Sequence, residues 1–67
     1  MKILGIDPGL NNLAYAFLEI RKNTCMLKAW QTFNTKNKKS LVEKLVYLYQ
    51  RLEEVIEKYH PDYIAIE

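Results

Sequence analysis

One long stretch of helical periodicity, placed between β-rich segments, constrains the fold of this chain more than any other feature. Its apolar residues recur at spacings of four, three, four, three and four, which is the period of one helix face. They are Leu41, Leu45, Leu48, Leu52, Val55 and Tyr59. Ser40 and Glu43 form a capping-box pattern at the start, and His60-Pro61 ends the helix. We therefore predict one helix, capped by Ser40, that packs its apolar face on a sheet.

Four runs of β-forming residues predict that sheet. Residues 2–7 are nearly continuously apolar, which is typical of a central strand covered on both faces, and Pro8-Gly9 ends this strand. The runs 13–20 and 25–33 flank a short polar connection and predict a hairpin. Residues 63–67 predict a short buried strand that ends on an acid.

Alternation along the third run assigns its side chains to two faces. One face would carry Cys25, Leu27, Ala29, Gln31 and Phe33. Cys25 is then a small buried residue, and a single cysteine makes neither an internal disulfide nor a four-ligand zinc site. Trp30 on the opposite face and Tyr15 on the second run could each stack on a nucleobase, but we expect core positions on the sheet for both.

The connection through the helix determines the topology. A helix that connects two strands makes the second strand parallel to one already in the sheet. The run 2–7 is the best neighbour for the run 63–67, which predicts the strand order 3-2-1-4. The fold class is therefore α/β, with the element order β-β-β-α-β and a mixed sheet, in a single domain over residues 1–67. Its core is small, because a chain of about 60 residues buries only about 60% of its unfolded surface.

This topology brings two acids together. Asp7 ends the first strand and Glu67 ends the last, and neighbouring strands lie about 4.8 Å apart. Ligands of open α/β sheets bind beyond the carboxyl ends of the strands. Two carboxylates this close repel unless a cation lies between them, and Mg²⁺ suits carboxylate oxygens and water. A metal site is one interpretation, and a strand-ending acid before a common Asp-Pro-Gly turn is the other. We expect Asp62 in a solvated turn and His60 at the helix end, where the helix dipole favours it.

Charge is distributed unevenly along the chain. Residues 1–40 carry a net charge of +5 and residues 41–67 carry −3, so the first half suits a polyanion better. Lys36, Lys38 and Lys39 are candidate nucleic-acid contacts, or else belong to a plain solvated loop. No apolar run approaches the roughly 20 residues of a membrane span and no secretory signal pattern is present, so we expect a cytoplasmic protein without a membrane partner.

Two motifs resemble those of a known family. The runs ILGIDPG at residues 3–9 and PDYIAIE at residues 61–67 together closely resemble the RuvC-type Holliday junction resolvases. These are crossover junction endodeoxyribonucleases of the ribonuclease H-like superfamily, and the resemblance covers the whole chain as an N-terminal portion. It implies that Asp7 and Glu67 are catalytic and bind Mg²⁺, with Mn²⁺ as an alternative. It also implies a four-way DNA junction as the substrate and a homodimer for the full-length parent.

The chain departs from the family pattern in two ways. Leu13-Ala14-Tyr15-Ala16 stands where the family usually has a T-G-x-G-like stretch. The family's other two active-site carboxylates come from a helix beyond residue 67, so we expect a fragment or an interrupted gene product that is nearly inactive alone. RNA-guided and transposon-associated nucleases carry a related first motif. Two other classes stay open: an actin-like phosphate-binding or ATPase-related domain, and a non-catalytic truncated fragment that acts in folding or oligomerisation.

Overall fold

Four strands form one sheet, and a helix covers one of its faces. The computed structural model describes residues 1–67. It contains β1 (Lys2–Asp7), β2 (Asn12–Arg21), β3 (Thr24–Asn34), α1 (Leu41–Tyr59) and β4 (Tyr63–Ile66). The strand order is β3-β2-β1-β4, in which β2 is antiparallel to both β1 and β3, and β4 is parallel to β1. The predicted α/β class, element order and strand order are confirmed.

The core lies between the sheet and α1. It consists of Leu4, Ile6, Leu13, Tyr15, Phe17 and Val55. All but Val55 come from alternate positions of β1 and β2, because alternate side chains of a strand point to the same face. Each fully buried side chain of this kind contributes about 1.5–3 kcal/mol through removal of apolar surface from water. Tyr15 therefore has the core position that the sequence predicts.

The helix begins and ends as the sequence predicts. The Ser40 Oγ accepts a 3.1 Å hydrogen bond from the backbone N–H of Glu43. The Glu43 carboxylate accepts in turn from the backbone N–H of Lys39, one residue before the position that a capping box uses. His60 adopts a left-handed conformation with φ of 47°, and its N–H donates to the carbonyl of Ile56. The helix is not long and apolar enough to cross a membrane.

A bulge in β3 changes the predicted assignment of its faces. Phe17 pairs with Ala29, but Leu18 pairs with Leu27, so Lys28 is an extra residue in the strand. The alternation reverses at this point. Ala29 and Phe33 pack on the core, whereas Leu27 and Cys25 are turned to the opposite face. The prediction that these residues share one face is therefore wrong, because strand pairing rather than local alternation sets the register.

The other face of the sheet has no covering layer. All four residues of β4 are exposed, so the predicted buried strand is wrong: β4 is an edge strand, and the core under α1 is built on β1 and β2. For the same reason β1 is covered on one face only, so the prediction that both of its faces are covered is wrong. Trp30 is 73% exposed, which contradicts its predicted core position, and Cys25 is an exposed free thiol rather than a buried one.

Asp62 ties β4 to β1 at the start of both strands. Its carboxylate accepts a 2.8 Å hydrogen bond from the backbone N–H of Lys2, and its own N–H donates to the carbonyl of Lys2 at 2.9 Å. The side chain is exposed, as expected for a turn residue. It also has a structural role that the sequence did not indicate, because it fixes where the parallel pairing begins.

Candidate metal centre

A tight turn after β1 fixes the position of Asp7. Pro8 has no N–H with which to extend the strand ladder. At Gly9 a Cβ would lie only 2.6 Å from the carbonyl oxygen of Asn12, so a side chain cannot be accommodated without a shift of the backbone. The chain therefore returns directly into β2, where Ala14 pairs with Asp7. This pairing places the Asp7 side chain on the uncovered face of the sheet, at the carboxyl end of β1.

Glu67 follows β4 directly and continues its register with β1. Ile66 pairs with Ile6, and the N–H of Glu67 donates a 3.1 Å hydrogen bond to the carbonyl of Ile6. Neighbouring strands lie about 4.8 Å apart, and residues in register point to the same face. Asp7 and Glu67 are therefore neighbours at the carboxyl edge of the two parallel strands, as the sequence predicts.

Both carboxylates line one open concavity of about 700 Å³ on the uncovered face. Small residues of β1, β2 and β4 also line it: Gly5, Ala14, Ala16 and Ala65. Leu27 and Trp30 of β3 add large apolar side chains. The concavity is therefore apolar along most of its length and carries the acidic pair where β1 and β4 end.

The two acids offer oxygen donors that suit a hard divalent cation. Both side chains are exposed, and neither takes part in the ion pairs of the chain, whose acids are Glu19 and Glu54. Mg²⁺ is commonly bound by one or two carboxylates, with water completing its octahedral shell. Carboxylate and water suit Mn²⁺ in the same way. No group of three or more His, Cys, Asp and Glu residues is close enough to hold a metal ion, so the pair is a partial donor set.

The three predicted lysines lie in the connection from β3 to α1, at the same edge of the sheet as Asp7. Lys36 and Lys39 are exposed, and their ammonium groups have no partner in the chain. Lys38 is half-buried, with its Nζ 4.9 Å from the centre of the Tyr47 ring in a cation–π contact. Lys38 thus has an internal partner, whereas the other two are free to contact a ligand. Nucleic-acid binding by these residues stays a prediction.

A buried threonine holds this edge of the sheet together. Thr35 is the one buried polar residue, and its hydroxyl donates to the carbonyl of Leu10 at 2.8 Å. Its backbone N–H donates to the carbonyl of Asn11 at 3.0 Å. The connection that carries the lysines is therefore bound to the turn that follows Asp7. Sequence reasoning missed Thr35, because no local periodicity marks a residue whose partners lie in a distant turn.

Comparison with known proteins identifies the family to which this chain belongs. The family model described as "Crossover junction endodeoxyribonuclease RuvC" matches residues 3–67. The chain belongs to the RuvC family. A RuvC relative from Cupriavidus metallidurans is 42% identical over 67 residues, which are 100% of this chain and 37% of that relative. The chain spans about two-fifths of the length of the curated RuvC relatives that it matches.

Solved structures agree with this ribonuclease H-like fold. The structure of Thermus thermophilus RuvC in complex with a Holliday junction substrate matches with a TM-score of 0.89 and 22% identity, over 98% of this chain and 41% of that chain. The PPX-GPPA enzyme of Aquifex aeolicus matches with a TM-score of 0.76 and 14% identity, over 98% of this chain and 25% of that chain. Identities this low show a shared fold alone, so the family model, and not the fold, separates a RuvC chain from other enzymes.

Proposed function

We propose that this chain is the N-terminal part of a Mg²⁺-dependent endonuclease that cleaves branched DNA, with the four-way junction as its substrate. The observation that carries the proposal is the placement of Asp7 and Glu67, unpaired and in register, at the carboxyl edge of two parallel strands. Membership in the RuvC family supports the nuclease reaction. The junction complex of Thermus thermophilus RuvC supports the substrate.

In this proposal Asp7 and Glu67 would hold Mg²⁺, or Mn²⁺ in its place. The chemistry that such a cation would supply is activation of a water for attack on a phosphodiester and stabilisation of the negative charge that develops. The chain's own part is to keep two oxygen donors in a fixed geometry. The Pro8-Gly9 turn positions Asp7, and the backbone hydrogen bond to Ile6 positions Glu67. A divalent cation would neutralise both carboxylates.

We further propose that the 67-residue chain has little or no nuclease activity by itself. Two carboxylates are a partial donor set, and a two-metal nuclease would need more protein oxygens than these two residues supply. In the full-length parent, carboxylates from beyond residue 67 complete the site, and the parent acts as a homodimer in the cytoplasm. Cleavage of a labelled four-way junction by the purified chain with Mg²⁺, abolished by Asp7→Asn, would show that the chain is active alone and overturn this part.

Metal binding itself is tested on the 67-residue chain by NMR, with Mn²⁺ as the probe. We expect paramagnetic broadening of amide signals centred on Asp7 and Glu67, and its loss in Asp7→Asn. Glu57→Gln is the matched control, because Glu57 is an exposed acid of α1 away from this edge. Broadening that spreads equally over all acids, or that survives Asp7→Asn, would contradict a metal site.

A second candidate function is that of an actin-like phosphate-binding domain. The likeness of this fold to a Ppx/GppA phosphatase of Aquifex aeolicus favours it, although only at the level of fold. Thermal unfolding with ATP and with a four-way junction separates the two candidates. A rise in Tm with the nucleotide but not with the junction would favour the phosphate-binding domain, and the reverse would favour the nuclease.

A further inference from the structure

A second polar cluster lies at the same end of the sheet as the two carboxylates and has no part in the proposed metal site. Lys44 of α1 extends to the turn after β1, where its Nζ donates a 3.1 Å hydrogen bond to the side-chain oxygen of Asn11. Asn11 follows Asp7 by four residues, and its carbonyl accepts from the N–H of Thr35. The ammonium group of Lys44 is therefore fixed at the edge that carries the candidate metal centre.

This contact leaves several hydrogen-bond donors unused. A lysine ammonium has three N–H donors and an asparagine amide has two. One N–H of Lys44 donates to the side-chain oxygen of Asn11, and the NH₂ group of the same amide has no partner within the chain. No acid forms an ion pair with Lys44. Lys44 is half-buried and Asn11 is exposed, so the pair presents oriented donors that solvent can reach.

The charges around this pair favour an anion. Residues 36–44 contain four lysines, and their one acid, Glu43, accepts a hydrogen bond from the backbone N–H of Lys39. A polyanion that approaches Asp7 and Glu67 meets two negative charges, and a cation at the same end of the sheet offsets part of this repulsion. Amide and ammonium donors together match the oxygens of a phosphate.

We propose that Asn11 and Lys44 form an anchoring site for one phosphate of a nucleic-acid backbone, at the same end of the sheet as the carboxylate pair. These two residues bind the backbone and take no part in chemistry. The proposal rests on the proposed function for the identity of the polyanion. It does not depend on the metal.

The test measures binding of a fluorescently labelled four-way junction to the 67-residue chain by anisotropy, in EDTA and at several salt concentrations. Lys44→Gln should weaken binding about three- to tenfold and reduce the slope of log K against log salt by about 0.9, because one phosphate contact is lost. Lys44→Arg keeps the charge and should keep the slope. Asn11→Asp should weaken binding more than Lys44→Gln, because it places a negative charge at the anchor.

Lys58→Gln is the matched control, because Lys58 lies in the last turn of the same helix, with its Nζ over the Tyr59 ring. Circular dichroism checks that each variant is folded. Three results would each overturn the proposal. The slope of log K against log salt could be equal for Lys44→Gln and Lys58→Gln, or it could be reduced in Lys44→Arg as in Lys44→Gln. The chain could also fail to bind the junction. If Lys44→Gln reduces the slope while Mn²⁺ broadening survives Asp7→Asn, the anchor stands and the metal site fails, so the two failures are distinguishable.

Discussion

The hydroxyl of Thr35 donates a 2.8 Å hydrogen bond to the carbonyl oxygen of Leu10, which lies 25 residues earlier in the chain. Thr35 is 1% exposed, and its bond to Leu10 is partly shielded from water. The contact joins the turn that follows Asp7 to the connection that leads into α1. It therefore constrains the turn between Asp7 and Asn11, which contributes one residue to each of the two proposed sites.

Substitution Thr35→Val should destabilise the chain. Valine keeps the shape of the side chain but removes the donor, which leaves the part-buried carbonyls of Leu10 and Asn11 with one fewer partner. We expect the free energy of unfolding to fall by about 1–3 kcal/mol, measured by urea denaturation. Thr32→Val, at an exposed position of β3, is the control and should change it by less than about 0.5 kcal/mol. Equal effects of the two substitutions would contradict a role for the Thr35 hydroxyl.

Substitution Gly9→Ala should strain the turn that positions Asp7. The added Cβ would lie 2.6 Å from the carbonyl oxygen of Asn12, so the backbone must shift. We expect a cost of about 1–3 kcal/mol, seen as a lower Tm in thermal unfolding. Gly5→Ala is the matched control, because its Cβ would meet nothing nearer than the carbonyl oxygen of Ala16 at 3.8 Å. A Tm in Gly9→Ala no lower than in Gly5→Ala would show that the turn adjusts without cost.

Substitution Asp62→Ala should loosen the parallel pairing of β4 with β1. The carboxylate of Asp62 holds the backbone N–H of Lys2, and its loss leaves the first residues of both strands less constrained. We expect faster amide hydrogen exchange at Lys2 and along Tyr63–Ile66, with smaller changes in β2. Asp62→Asn keeps an acceptor oxygen and should retain most of the protection. Unchanged exchange in Asp62→Ala would mean that the strands pair without this contact.

The phenol of Tyr15 should make stability depend on pH in the alkaline range. Burial, together with the neighbouring Tyr59, raises the pKa of Tyr15 from 10.0 to about 12. A raised pKa means that the folded chain binds the phenolic proton more tightly than the unfolded chain. Its contribution to stability is therefore fully present below pH 10 and is lost as the pH rises towards 12.

Urea denaturation across this pH range checks the prediction. The free energy of unfolding of Tyr15→Phe should fall less over this pH range than that of the unmodified chain. The difference between the two proteins separates the effect of Tyr15 from that of the lysines, which titrate in the same pH range. The control is Tyr63→Phe, at an exposed position, which should behave as the unmodified chain does. Parallel curves for the unmodified chain and Tyr15→Phe would contradict the assignment.

The sequence by itself determined the elements, their order and the location of the acidic pair. Helical spacing and the Ser40 cap are local signals, so they defined α1 without reference to the rest of the chain. One helix between two apolar runs then required a parallel crossover, and that crossover brought Asp7 and Glu67 to the same edge. Each of these steps depends on periodicity and chain connectivity, which a sequence displays directly.

Only the tertiary structure decided which side chains are covered and which residues far apart in the sequence form hydrogen bonds. The bulge at Lys28 turns Leu27 to the uncovered face, because pairing with Leu18 outweighs local alternation. Trp30 is exposed because the single helix covers one face of the sheet, a property of layers rather than of a strand's own residues. The hydrogen bonds of Thr35 and Lys44 join segments that meet only after the chain folds, and no local pattern encodes them.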